Sequence, residues 1–327
     1  MLQIDNYAQT NVAQRAAPCR GMKYSFFSRE KRIRVALGVS GALLTFICTL
    51  LVVLIANGPL MIVWPTTLLV QGGRQSGIPP GIPTPSFAHI VVVVEENHSF
   101  SEIVGNPQAP YINSLASAGV LLTNYHAVSH PSEPNYFALY AGSTFGVQDD
   151  GNYSEPDPTL ATILQGNGES FIGYIESGSP QQHNPWESFP EGMSVERDMS
   201  TFPANDFSQL PNVSFVIPNL NDDMHDGTVA QADQWLSINI GAYAQWAVTH
   251  QSLLMVVWDE DDGTEGNQVP AILYGANIVP GAYNDAYTHY NLLHTLLDAS
   301  GLIAPRNAAL VPAFGNGIFS ALTNTHL

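Results

Sequence analysis

Apolar runs of strand length alternate with helix-length segments through most of the chain. The run at residues 89–95 contains four consecutive valines, and an unbroken β-branched run is typical of a strand covered on both faces. Similar runs occupy residues 120–126, 171–176, 213–218, 252–258 and 270–274. Helix signals mark residues 110–118, 135–141, 158–165, 229–249 and 288–299. This alternation predicts an α/β domain with a mostly parallel central sheet and helices on both faces.

The first part of the chain has a different pattern. Residues 1–34 are polar and basic, whereas residues 35–56 are apolar and carry no charge. As a helix, the apolar segment would span roughly 30 Å, which is the thickness of a hydrocarbon core. Because the basic residues precede it, we predict a basic cytoplasmic tail at 1–34 and an uncleaved transmembrane signal anchor at 35–56. A cleaved signal peptide is the alternative.

Residues 57–86 connect the predicted anchor to the rest of the chain. They are apolar at first and then rich in Gly and Pro, a composition that predicts a linker. Residues 87–327 are then expected to form one globular domain. With the anchor in place, the protein would be a single-pass protein of the cell membrane, and this domain would lie outside the cytoplasm.

Charge is distributed unevenly along the chain. Only two of the 28 acidic residues, Asp5 and Glu30, lie before position 35, which leaves 26 acids against three arginines in residues 35–327. A segment this acidic is not expected to bind nucleic acid. The two cysteines, Cys19 and Cys48, offer no disulfide framework.

Carboxylates follow two of the predicted strands. Glu96 and Asn97 come directly after the strand at 89–95, and Asp259 and Glu260 come directly after the strand at 252–258. Open α/β sheets bind their ligands at the carboxyl ends of their strands. Oxygen ligands gathered there repel one another unless a divalent cation is present. The pattern therefore predicts a metal site, with charged turns as the alternative.

A serine and several histidines occupy comparable positions. Ser132 precedes the helix predicted at 135–141, where helix-end amides favour an anion, so it is a candidate nucleophile for a phosphate ester or simply a helix cap. His225 and Asp226 follow the strand at 213–218. His289 opens the last helix, which suggests a neutral ligand or acid–base role. The chain lacks the common nucleotide-binding, zincin and G-x-S-x-G motifs.

Five blocks in order give the sequence a family resemblance: EENHSF (95–100), SHPSEPNY (129–136), NDDMHDG (221–227), WDEDDG (258–263) and THYNLLHTLLD (288–298). Together they resemble the bacterial phosphoesterase family of acid phosphatases and phospholipases C, within the alkaline-phosphatase-like superfamily. The resemblance covers about residues 88–300 and implies that superfamily's fold. It implies Ser132 as the nucleophile, metal ligation by Glu96, Asn97, Asp259 and Glu260, and catalytic roles for His225, His289 and, on a weaker match, His130. We also predict that Asn135, His183 and Asp226 bind the substrate.

The activity expected from the resemblance is metal-dependent hydrolysis of phosphate esters through a phosphoserine. An acid-phosphatase-like phosphomonoesterase with a divalent metal ion is the first expectation. A phospholipase C acting on lipid headgroups is the alternative within enzymes, and a catalytically inactive cell-surface binding module is the alternative outside them. A sulfatase is disfavoured because the Ser132-Glu-Pro-Asn-Tyr segment lacks the arginine that sulfatases carry.

Overall fold

The computed structural model describes residues 84–315 and 317–320. The predicted basic tail at 1–34, the anchor at 35–56 and most of the linker at 57–86 lie outside the described residues, and they stay predictions. Within the described ranges, no helix combines the length and the apolar character needed to cross a membrane.

A mixed sheet forms the centre of the domain. The strands are β1 (Ile90–Glu95), β2 (Val120–Leu122), β3 (Tyr125–His126), β4 (Phe171–Ile175), β5 (Glu196–Asp198), β6 (Val213–Ile217), β7 (Leu253–Trp258), β8 (Ala271–Gly275), β9 (Gly281–Tyr283) and β10 (Tyr287–Thr288). Eight of them pair in the order β5-β4-β6-β1-β7-β8-β2-β9, while β3 pairs with β10 separately. The strands from β5 to β7 are parallel, and β8 is antiparallel to both of its neighbours.

Both faces of the sheet are covered. All six residues of β1 and all six of β7 are buried, and because successive strand residues point to opposite faces, neither face of these strands is open to solvent. The helices are α1 (Phe100–Ile103), α2 (Pro110–Ala118), α3 (Ser132–Ala141), α4 (Leu160–Gly166), α5 (Val229–Asn239), α6 (Gly241–Ala247) and α7 (His289–Asp298). Helices α2, α5 and α6 pack together as one group, and α3, α4 and α7 as another. The predicted mostly parallel α/β architecture is confirmed.

Three predicted elements differ from those observed. The helix predicted at 229–249 divides into α5 and α6 at Ile240, directly before Gly241, whose missing Cβ lowers helix propensity. The strand predicted at 120–126 divides into β2 and β3. Helix α3 begins at Ser132 rather than at residue 135, because Pro134 is tolerated in the first turn of a helix.

A close contact between strand β4 and a buried tryptophan positions one loop of the domain. Gly173 in β4 lies against the indole of Trp186, and a Cβ at residue 173 would come within 2.2 Å of that ring. Trp186 is fully buried and belongs to the 3₁₀ helix Pro185–Ser188, which directly follows the turn that carries His183. Glycine is therefore required at position 173 for this loop to pack onto the sheet.

Candidate active site

Backbone hydrogen bonds join the ends of three parallel strands into one acidic centre. The Asp259 N–H, just beyond β7, donates to the carbonyl oxygen of Glu95 at 3.0 Å. The Glu96 N–H donates to the carbonyl oxygen of Asp223 at 2.8 Å, which ties β1 to the loop after β6. The carboxylates predicted to meet at this edge therefore do so, and Asp223 joins them.

Ser132 lies at the centre of this group. It is the first residue of α3, a helix whose ten residues are all buried. Its hydroxyl lies 3.2 Å from Glu96 Oε2 and 3.5 Å from Glu260 Oε1, so it can donate to either carboxylate. The helix end itself offers few amides to an anion, since the Glu133 N–H donates to Asp150 Oδ1 and Pro134 has none.

The two carboxylate oxygens of Glu96 face different neighbours. Oε2 faces Ser132, whereas Oε1 accepts a hydrogen bond from the Tyr136 hydroxyl and lies 3.3 Å from His183 Nδ1. The His183 ring stacks on the Tyr136 ring, with centroids 5.1 Å apart, and its Nδ1 lies 3.6 Å from Asp223 Oδ2. Glu96 thus connects Ser132 to a buried imidazole and a second acid.

Crowding and burial shift the acids of this centre toward their protonated forms. Burial, followed by the charges of Asp259 and Asp223, raises the pKa of Glu96 well above its ordinary value. Burial also raises the pKa of Asp259. Burial together with the Asp259 charge raises the pKa of Glu260 to about 9. A centre in which carboxylates disfavour one another's ionisation is one that a cation would stabilise.

The residues present fit a divalent cation. Donor atoms of Glu96, His183 and Asp223 all lie within 4.8 Å of one another, and the three residues are buried. Asp223 Oδ2 and Asp259 Oδ2 are buried and accept no hydrogen bond from the described residues. Carboxylate oxygens with one imidazole are ordinary ligands for divalent metals. Of the predicted metal set, Glu96 belongs to this group, while Asp259 and Glu260 lie beside it around Ser132.

Asn97, the fourth predicted metal ligand, has a backbone role in the structure. Its φ is 55°, in the left-handed region where asparagine is among the more tolerated non-glycine residues. Its N–H donates to Asp259 Oδ1 at 3.2 Å. This bond fixes the Asp259 carboxylate against the end of β1.

Two of the predicted histidines lie at the mouth of the centre. His130 Nδ1 is 2.9 Å from Glu260 Oε2 and its Nε2 is 3.2 Å from Asp261 Oδ1, with 47% of the side chain exposed. His225 Nδ1 lies 2.8 Å from Asp226 Oδ1, and 37% of the His225 side chain is exposed. Asp226 thus orients His225 through Nδ1. The predicted substrate contact of Asp226, whose side chain is 59% exposed, stays a prediction.

His289 is enclosed instead. It is fully buried, its Nε2 lies 2.7 Å from the carbonyl oxygen of Asp259, and its Nδ1 lies 2.9 Å from the Tyr125 hydroxyl. Burial lowers the pKa of His289 to about 4. With both nitrogens engaged and the neutral form favoured, His289 is suited to holding Asp259 in place rather than to exchanging protons with a substrate.

Asn135, predicted to bind substrate, holds the loop that precedes Ser132. Its Oδ1 accepts from the N–H groups of Val128 and Ser129, and its Nδ2 donates to the carbonyl oxygens of Ser129 and Pro131. The side chain is fully buried. Asn135 therefore positions the loop that leads into Ser132, and its Nδ2 also lies 3.4 Å from Glu260 Oε2. Its predicted contact with substrate stays a prediction.

Two residues of the centre were not predicted. Tyr136 lies four positions after Ser132, a spacing that puts both on the same face of a helix, so a signal for it was present. Asp223 carried no distinguishing signal, because neighbouring acids in its block appeared equally good candidates.

Comparison with known proteins shows the family to which the chain belongs. Residues 106–302 match the Phosphoesterase family. A phosphatidylinositol-3-phosphatase of Mycobacterium tuberculosis is 46% identical over 236 residues, which cover 67% of this chain and 78% of that protein. An acid phosphatase of Aspergillus fumigatus is 28% identical over 227 residues, which cover 58% of this chain but only 50% of the fungal enzyme.

Solved structures share the fold at low sequence identity. A protein of the alkaline phosphatase superfamily from Vibrio parahaemolyticus has a TM-score of 0.52 and 14% identity, with 68% of each chain covered. The lipoteichoic acid synthase LtaP of Listeria monocytogenes also has a TM-score of 0.52, at 10% identity, with 69% of this chain and 76% of that chain covered. The fold is therefore alkaline-phosphatase-like.

Proposed function

The chain belongs to the Phosphoesterase family and is a phosphoester hydrolase, and on this premise we propose that it hydrolyses phosphate monoesters with Ser132 as the nucleophile. The observation that carries this proposal is the position of the Ser132 hydroxyl, 3.2 Å from Glu96 Oε2 and 3.5 Å from Glu260 Oε1. A hydroxyl is activated when a base lies within hydrogen-bonding reach. Here two carboxylates meet that condition.

In the first step, Ser132 Oγ attacks phosphorus and the bond from phosphorus to the leaving oxygen breaks. Glu96 Oε2 accepts the Oγ proton as the Oγ–phosphorus bond forms. Glu96 can accept this proton only in its ionised form, which burial alone disfavours and which a nearby cation would favour. Water then attacks the phosphoserine and gives one proton to His225, which has protonated the leaving group. The bond from phosphorus to Ser132 Oγ breaks, inorganic phosphate leaves, and the proton held by Glu96 returns to Oγ.

The leaving group needs a proton from the protein. His225 is the better placed of the two histidines predicted as the general acid, because it lies at the mouth and Asp226 holds its Nδ1. Its Nε2 donates the proton to the departing alkoxide. His289 supports the reaction indirectly, through the carbonyl oxygen of Asp259.

A divalent cation would be held by Glu96, His183 and Asp223, with Asp259 and Glu260 beside them. Bound there, it would offset the charge of the phosphate and make the Ser132 hydroxyl easier to deprotonate. Without it, the negative charge of a phosphate would enter a domain that holds only two arginines among the described residues, Arg197 and Arg306.

Relatives guide the choice of substrate. The Mycobacterium tuberculosis relative is named as a phosphatidylinositol-3-phosphatase and the fungal relative as an acid phosphatase. Both names describe release of a terminal phosphate. They support a monoesterase over a phospholipase C, and they support a phosphoinositide phosphate as one substrate of this chain.

A trapping experiment tests the proposal. We expect acid quenching during turnover to leave a phosphoryl group on the peptide that contains Ser132, and we expect Ser132→Ala to lower kcat by at least about 1,000-fold. Ser117→Ala, on the exposed side of α2, is the control and should retain full activity. Full activity in Ser132→Ala would refute the proposal. Release of a phosphorylated headgroup from phospholipid, in place of inorganic phosphate, would establish the phospholipase C alternative.

A further inference from the structure

Tyr136 lies one helical turn after Ser132 on α3, and the mechanism above assigns it no task. An α-helix rises about 1.5 Å per residue, so Tyr136 lies about 6 Å further along the same face of the helix. Its side chain is fully buried, and its hydroxyl donates to Glu96 Oε1. Tyr136 therefore reaches the acidic centre from the helix that carries Ser132, but it contacts the other oxygen of Glu96.

The Glu96 carboxylate needs a fixed orientation to act on Ser132. The last torsion of a glutamate side chain has broad preferences, so the side chain by itself does not decide which oxygen faces which neighbour. Here the Ser132 hydroxyl lies 3.2 Å from Oε2, and the Tyr136 hydroxyl donates to Oε1. The bond from Tyr136 therefore keeps Oε2 directed at Ser132.

The ring of Tyr136 holds this hydroxyl in place. It stacks on the His183 ring, with centroids 5.1 Å apart and an angle of 13° between the ring planes. His183 Nδ1 is buried and has no hydrogen-bond partner among the described residues, and it lies 3.3 Å from Glu96 Oε1. The oxygen that Tyr136 contacts is thus the one that faces His183, a second member of the group that fits a cation.

A hydrogen bond from Tyr136 is compatible with metal binding by Glu96. A carboxylate oxygen has two lone pairs, so Oε1 can accept from the Tyr136 hydroxyl and still face a cation. Partners of this kind, one shell outside the metal, orient the ligand and raise the affinity of the site. The same hydroxyl can therefore serve both the metal group and the contact between Glu96 and Ser132.

Tyr140 provides a comparison within the same helix. It lies one turn beyond Tyr136, is also fully buried, and its hydroxyl also donates to a carboxylate, Glu191 Oε1. That oxygen accepts from the Thr159 hydroxyl as well. The two tyrosines thus share their burial and their kind of bond, and they differ in the carboxylate that they contact.

We propose that Tyr136 is a positioning residue, whose hydroxyl fixes the Glu96 carboxylate so that Oε2 faces Ser132 and Oε1 faces the candidate metal group. This inference rests on the proposed function, because that function gives Glu96 its role toward Ser132 and the cation. It adds a residue that acts through Glu96 and has no contact of its own with the reacting atoms.

The test compares Tyr136→Phe with Tyr140→Phe, a matched control that removes the same hydroxyl one turn away on the same helix. Activity is measured on p-nitrophenyl phosphate at saturating Mn²⁺, a divalent metal suited to carboxylate ligands. We expect Tyr136→Phe to lower kcat by about 10- to 100-fold and to change KM by less than about two-fold. Both variants lose a buried hydrogen bond and should melt at lower temperature, but Tyr140→Phe should keep kcat close to that of wild type.

Calorimetric titration of the chelated proteins with Mn²⁺ gives a second readout, which does not depend on turnover. Tyr136→Phe should bind Mn²⁺ about 10-fold more weakly than wild type, whereas Tyr140→Phe should bind it as wild type does. In a Glu96→Ala background no carboxylate remains for the hydroxyl to orient. Adding Tyr136→Phe to that background should therefore change the affinity by less than about two-fold.

Three outcomes would overturn the inference. The first is equal loss of kcat and of Mn²⁺ affinity in Tyr136→Phe and Tyr140→Phe, which would show that both hydroxyls act only on stability. The second is wild-type kcat in Tyr136→Phe, and the third is an undiminished loss of affinity in the Glu96→Ala background. The proposed function fails separately, if Ser132→Ala still hydrolyses p-nitrophenyl phosphate, whatever the Mn²⁺ affinity of Tyr136→Phe.

Discussion

His289 Nε2 lies 2.7 Å from the carbonyl oxygen of Asp259, although the two residues are 30 positions apart. A carbonyl oxygen only accepts hydrogen bonds, so Nε2 carries the proton and Nδ1 accepts from the Tyr125 hydroxyl. This neutral tautomer agrees with burial, which lowers the pKa of His289 to about 4. The imidazole therefore fixes the segment that presents Asp259 and Glu260 to Ser132.

Replacing His289 should damage stability and activity together. His289→Ala leaves a cavity and removes the partners of the Asp259 carbonyl and the Tyr125 hydroxyl, so we expect a loss of about 2–4 kcal/mol in the free energy of unfolding. Activity should fall because the Asp259 segment moves. Urea unfolding monitored by circular dichroism measures the first effect. A variant of native stability would show that His289 has no such positioning role.

Replacing His225 should affect chemistry without affecting stability. The residue is partly exposed, so His225→Ala should change the free energy of unfolding by less than about 1 kcal/mol. As general acid it matters most when the leaving group is a poor one. We expect kcat on an alkyl phosphate to fall by about 100-fold or more, with a much smaller change on p-nitrophenyl phosphate. Equal losses on both substrates would argue against the assignment.

Glu96→Gln should affect stability differently in the metal-bound protein and in the chelated protein, from which a chelator has removed metal. The carboxylate faces Asp259 and Asp223, so replacing it with a neutral amide should leave the chelated protein as stable as wild type or more stable. Added divalent metal should raise the melting temperature of wild type. It should raise the melting temperature of the variant much less, because the metal affinity of the variant should be lower by about 10- to 100-fold. Equal metal-induced shifts would exclude Glu96 as a ligand.

The chelated protein should lose stability as pH rises. Glu260 has a folded-state pKa of about 9 against an ordinary 4.5, so between these values the folded protein holds a proton that the unfolded chain has released. The contribution of protonated Glu260 to stability is present below the pKa of the unfolded chain, and it is lost as pH rises toward the pKa of the folded protein. Melting temperatures from about pH 5 to about pH 8 should therefore decrease, and Glu260→Gln should reduce the slope. An unchanged slope in the variant would contradict this.

Gly173→Ala should disturb the loop that carries His183. The added Cβ would lie 2.2 Å from the Trp186 ring, so the ring must move, at a cost of about 1–3 kcal/mol in the free energy of unfolding. Activity should fall as well, because Trp186 follows His183 by three residues. Gly166→Ala is the control, since a Cβ at residue 166 meets nothing within 4 Å. The control should be neutral or slightly stabilising.

The sequence by itself determined the scaffold and the place of the chemistry. The valine run of β1 and the apolar run of β7 predict buried parallel strands, because a strand covered on both faces cannot alternate in polarity. Strand ends followed by Glu96 and Asp259 then locate the site, since parallel strands end at a common edge. The SHPSEPNY block placed Ser132 just before a predicted helix and made it a candidate nucleophile.

Only the tertiary structure decided which side chains meet and how each one acts. Asp223 and His183 lie on loops from different strands, so no local pattern relates them to Glu96. His225 and His289 look alike in sequence, yet one is partly exposed and the other is buried with both nitrogens engaged. Burial and hydrogen-bond partners set the pKa and the role of a histidine, and both depend on packing between distant segments of the chain.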